Sequence, residues 1–190
     1  SQEIYIDLLP VESYLTEGVW RIVLSAGKIV TGQYEMWLPS DNVLNRGTGF
    51  LFPTDATTLT IPSSASRAIS VGAYDARRFA YADFSGRGFT RLMNLVKPDL
   101  VAPGVEVVTA AAGGGYAAFT GTSFATPFVT GSAALLMEWG IVRGNDPYLY
   151  GEKVKAYLRR GAKELPGFGE YPNEEVGYGA LCTAQSFYAS

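Results

Sequence analysis

The chain has 190 residues, 47% hydrophobic and 17% charged, which suits one compact domain or one and a half. A net charge of −3 with no basic block argues against nucleic acid or an anionic membrane surface as partner. One cysteine and no histidine exclude an internal disulfide and any catalytic step that needs an imidazole from this chain. No apolar run reaches the ~18 residues of a membrane span. The longest, residues 128–139, is broken by Thr130, Gly131, Ser132 and Glu138. Ser1 comes first with no signal-like stretch after it, so any targeting segment is expected to have been removed.

Residues 1–55 carry short alternating stretches, at 3–9, 18–26, 33–38 and 47–52. Trp20, Ile22 and Leu24 fall on one side, and Val19, Arg21 and Val23 on the other, the period of a strand. Gly27-Lys28, Thr31-Gly32 and Asp41-Asn42 mark turns between them, so an antiparallel β segment is expected here. The composition shifts near residues 53–65, and residues 56–190 are expected to form a separate α/β part. There, Ala68–Ala73 and Leu100–Ala102 are apolar runs bounded by Gly and Pro, the pattern of buried parallel strands. Gly113-Gly114-Gly115 lacks the Gly-Lys-Ser/Thr ending of a phosphate loop and is expected to be a flexible turn. No cofactor or metal motif is found.

A helix is predicted from Ser123 to Trp139, with Pro127 in its first turn and Gly140 as its stop. Small residues at 131–134 would let it pack closely against a sheet on most sides. A second helix is predicted over Gly151–Lys163. It would turn Val154, Tyr157 and Leu158 inward and Lys155, Arg159 and Arg160 outward. Cys182 lies in an apolar stretch and is expected to be buried and inert.

The stretch Gly121-Thr122-Ser123-Phe124-Ala125-Thr126-Pro127 carries the chemistry. It sets a serine at a sharp turn just before a helix, where unpaired N–H groups and a partial positive charge gather. Acyl transfer needs that pairing, a nucleophile beside donors for a developing oxyanion. A serine there can also be a plain helix cap.

Gly121, Thr122, Ser123, Ala125 and Pro127 together resemble the nucleophile motif of the subtilisin-like serine proteases, the subtilases. Further likeness follows in the family's order. Ala68-Ile69-Ser70-Val71-Gly72-Ala73 resembles its buried strand, followed by the Phe84-Ser85 pair. Lys97-Pro98-Asp99-Leu100-Val101-Ala102-Pro103-Gly104 resembles its K-P-D-x-x-A-P-G turn, and Gly177-Tyr178-Gly179-Ala180-Leu181 its closing segment. Trp20, Trp37-Leu38-Pro39 and Thr60-Ile61-Pro62 resemble a jelly-roll-like insert of the spore-germination protease type. The resemblance implies an α/β fold, the C-terminal half of a parallel-sheet catalytic domain preceded by part of an antiparallel insert.

It also implies that Ser123 is the nucleophile and lends its own N–H to the oxyanion hole. The family's Asp-Thr/Ser-Gly, His-Gly-Thr and oxyanion-asparagine segments do not occur. All three precede the serine in that family, so a fragment of an enzyme is expected, inactive alone and completed by the N-terminal part of the same domain. The alternative is a non-catalytic pseudoprotease or scaffold. The implied substrate is a protein or peptide, and the implied setting is secreted, cell-envelope or spore-associated. Asp99 is expected to be structural rather than a catalytic acid. Phe124 and Phe128 are expected to fill apolar space, and residues 61–63 to border the specificity pocket.

Overall fold

The computed structural model describes residues 3–10, 12–25, 27–39, 43–91 and 93–188, and the chain divides into two units, Ser1–Phe50 and Leu51–Ser190. In the second unit, β1 (Val71–Asp75) pairs in parallel with β3 (Leu100–Pro103), Val71 opposite Leu100, and antiparallel with β2 (Ala80–Tyr81). Both faces of β3 are covered. Leu100 and Ala102 join one apolar cluster and Val101 another, as the two-residue period of a doubly buried strand requires. Val101 also bridges to Ala180 in parallel, so the Gly177–Leu181 segment lines the far edge of the sheet.

The first strand begins later than the apolar run at 68–73 suggests. Ser70 gives its N–H to the Asp99 carboxylate and its carbonyl to the Asp99 N–H, which leaves Val71 to start the ladder. Beyond β3 the chain forms an antiparallel hairpin of β4 (Val107–Ala110) and β5 (Tyr116–Phe119), turning through Gly113–Gly115, all three with positive φ.

Helix α1 (Thr122–Met137) packs on β1 and β3. Its buried residues Ala125, Val129, Ser132 and Leu136 recur every three or four positions and make a single stripe. The side opposite that stripe is exposed, so close packing on most sides is not realised within this unit. Phe128 is 43% exposed there, contrary to the apolar packing expected of it.

Gly140 does not stop the helix. A π-helical turn, Glu138–Val142, carries the chain on to an Arg143 cap, and Gly144 follows at φ 75°. Gly140 serves close packing instead: a Cβ there would lie 2.8 Å from Leu149 Cδ2. The continuous run Thr122–Val142, with a mean hydropathy of 1.2, is long and apolar enough by length and composition to cross a membrane. That length departs from the expectation of no span-length stretch, because the π-helical turn extends the helix past Gly140; within this unit its buried stripe packs on β1 and β3.

Helix α2 (Gly151–Arg160) buries Val154 and Leu158 as expected and half-buries Tyr157. It also turns Lys155 and Arg159 inward, against expectation, because the Asp99 carboxylate waits there to receive them. Lys163, placed on that helix by its pattern, lies beyond it and pairs with Ala180. A short α3 (Thr183–Ser186) follows the half-exposed Cys182.

The first unit differs from the antiparallel β segment expected over residues 1–55. Among the described residues of 3–50 no strand forms, and nearly all side chains are exposed. Trp20 is 56% and Val23 74% exposed, although alternation puts them on opposite faces. Alternation makes a strand only when a neighbour pairs its backbone and something covers one face. Neither condition is met in this unit. The turn expected at Asp41-Asn42 lies outside the described residues.

Candidate active site

The geometry around Ser123 begins with two glycines. A Cβ on Gly104 would fall 2.6 Å from Ala73 Cβ and 3.1 Å from the Gly121 carbonyl, so only glycine lets the returning chain press onto the sheet. The Gly121 N–H donates to the Gly104 carbonyl at 2.8 Å. Gly121 itself caps α1 at φ 150°, a backbone shape that favours glycine. From the other side, the Phe124 N–H donates to the Gly121 carbonyl, and the Phe124 ring stacks on Phe119 with centroids 5.1 Å apart.

Between these fixed points Ser123 is exposed, as the second residue of α1. Its N–H lies in the first turn, where no carbonyl four residues back continues the helix. Pro127 is the sixth helical residue, not a member of the first turn, because α1 starts at Thr122. Having no N–H, it leaves the Ser123 carbonyl without its usual helical partner. Ala125 is fully buried against the sheet and fixes the rotation of the turn. The structure therefore gathers Gly121, Thr122, Ser123 and Ala125 at the start of α1, with Ser123 exposed and Pro127 following in the second turn.

Thr122 also lines a cleft of about 370 Å³, together with Thr58, Ser63, Phe84, Ser85 and Arg87. Arg87 is braced by Asp55 at 2.6 Å and Glu175 at 2.8 Å, over the Tyr81 ring. Burial opposes its charge, but the Tyr81 hydroxyl and the two carboxylates outweigh it and hold the guanidinium more basic. Burial raises the Tyr81 phenol, against the effect of its Arg87 and Ser85 contacts.

Asp99, fully buried, is an ion-cluster centre. Its Oδ2 accepts from Lys97 Nζ at 2.7 Å and the Ser70 N–H at 2.6 Å. Its Oδ1 accepts from Arg159 Nε at 2.9 Å, and Lys155 Nζ lies 3.3 Å away. Burial lowers the Lys155 ammonium from its ordinary range, and the Asp99 charge restores part of it. The structural role expected of Asp99 holds. Its cationic partners on α2 were the part missed, and the one available signal was that Lys155 and Arg159 are four residues apart on one helical face. Among the described residues, no three histidine, cysteine, aspartate or glutamate side chains gather as a metal site would require.

A helix-head serine set against a parallel pair of strands, beside a cleft, is the arrangement of a subtilase. The sequence pattern described as the subtilase family matches residues 22–179, and the chain belongs to that family. It is 46% identical to the CspB protease of Clostridium perfringens, with a TM-score of 0.72 over 76% of this chain and 30% of that one. It is 32% identical to the serine protease AprX of Bacillus subtilis (strain 168), over 56% of this chain and 27% of the relative. The patellamide maturation protease PatA aligns at a TM-score of 0.55 and 32% identity, over 70% of this chain and 46% of the other. The chain thus spans less than a third of the CspB protease and of AprX.

Proposed function

We propose that this chain supplies the nucleophile half of a subtilisin-like serine endopeptidase, with Ser123 attacking the peptide carbonyl and its N–H serving the oxyanion. The exposed Ser123 at the head of α1, one residue after the cleft-lining Thr122, is the observation that carries this reading. Residues 56–190 are then the C-terminal part of the catalytic domain, and residues 1–55 part of an insert. The Trp37-Leu38-Pro39 and Thr60-Ile61-Pro62 segments support the spore-germination protease type within the family. The substrate is a protein or peptide.

The general base and its orienting acid come from the N-terminal part of the same domain, since these 190 residues hold no histidine. In a subtilisin, loss of the histidine alone costs roughly six decades in turnover. That corresponds to a barrier on the order of 8 kcal/mol. The chain by itself is therefore catalytically silent.

A fluorophosphonate probe tests this. The isolated chain should label slowly, the full-length protein rapidly, and full-length Ser123→Ala not at all. Rapid labelling of the isolated chain at Ser123 would overturn the incomplete-triad argument. An unlabelled full-length protein would favour the pseudoprotease.

A further inference from the structure

The Lys97–Asp99–Lys155–Arg159 cluster sets three cations against one carboxylate in the interior, and its remaining donors converge on one short segment. Lys97 Nζ donates to the Ala68 carbonyl at 2.6 Å. Lys155 Nζ donates to the Ser66 carbonyl at 2.6 Å and the Ala68 carbonyl at 3.0 Å. The Ser70 N–H is held by Asp99. Ser70 then passes the constraint on, because its hydroxyl hydrogen-bonds that of Ser63 at 2.5 Å. Ser63 lines the cleft together with Thr122, and Thr58, also in its lining, exchanges hydrogen bonds with the Arg87 main chain.

A buried ion cluster is often no more stabilising than well-packed apolar residues of the same volume. Stability alone therefore does not account for charges directed at the main chain of residues 66–70. We infer that the cluster is a positioning device: acting through Ser70 and Ser63, it fixes the cleft wall at residues 58–63. It thereby sets substrate affinity without acting on the reactivity of Ser123. That effect on a substrate rests on the protease reading above.

The test uses the full-length protein carrying Lys155→Met, which keeps the apolar stem, or Ser63→Ala, with Arg160→Ala, exposed on α2, as control. Both test variants should raise KM for a peptide substrate by about tenfold and leave kcat within about twofold, the pattern of lost binding. Amide hydrogen exchange over residues 58–70 should quicken by about tenfold while exchange in α1 stays as in the wild type. Ser63→Ala disturbs no buried charge and carries the test if Lys155→Met does not fold. Unchanged exchange over residues 58–70 in Ser63→Ala would overturn the inference. So would faster exchange with unchanged KM, or a loss confined to kcat. A wild-type protein that neither cleaves peptides nor labels at Ser123 would end the protease reading alone, and exchange would then decide the positioning role.

Discussion

Gly104 shows how far one methyl group governs the turn that carries Ser123. Its added Cβ would meet Ala73 Cβ at 2.6 Å, and neither partner can rotate away, since one is a strand methyl and the other main chain. Gly104→Ala is expected to cost about 1–3 kcal/mol by overpacking, read as a lower melting temperature. A melting temperature equal to the wild type would show that the turn relaxes freely. Asp146 makes a different residue-scale point. Lys153 Nζ donates to it at 2.7 Å and holds its carboxyl below the ordinary range. Burial works the other way, and the Tyr157 hydroxyl adds to the lowering. A carboxyl depressed on folding stabilises in full above its unfolded value near 3.8, and that contribution is lost as pH falls through the folded value. Asp146→Asn should therefore flatten the acid fall in melting temperature below that point. Identical acid limbs in both proteins would refute the assignment.

At the scale of elements, α1 is held by one stripe. Leu136 is fully buried at the end of that stripe, and Leu136→Ala should cost about 2–5 kcal/mol in a denaturant titration. A loss below about 1 kcal/mol would mean that the far end of α1 contributes little to the fold. The elements that sequence made legible are β3, apolar on both faces, and α1 and α2, each with one inward apolar face. Their termini were less legible, for physical reasons. Gly140 looks like a stop but is a contact point for Leu149, and the helix ends only where Gly144 takes a positive φ. Lys155 and Arg159 look solvated because charge is normally outward. The acid that draws Arg159 inward lies 60 residues away in the chain, beyond the reach of any local pattern. Of the site, the serine turn was readable because its residue types are fixed by local geometry. The cleft wall was not, since Asp55, residues 58–60, Ser63, Val71, residues 83–87 and Thr122 come together only after folding.

The whole molecule is unevenly built. Its second unit buries two apolar clusters on either side of a short sheet, while the described residues of the first unit expose Trp20, Val23 and Trp37. Strand periodicity was plain in that unit, yet periodicity names a face without supplying what covers it. The charged groups divide in a similar way. Arg77–Glu106 and Arg143–Glu138 are pairs open to water, whereas Lys97 and Asp99 are almost wholly enclosed. Dissolved ions weaken attraction between exposed charges over a screening length of about 8 Å at physiological ionic strength, and act far less on enclosed ones. Concentrated brine would loosen the rim of this protein and leave the grip on Ser66, Ala68 and Ser70 as firm as in dilute buffer.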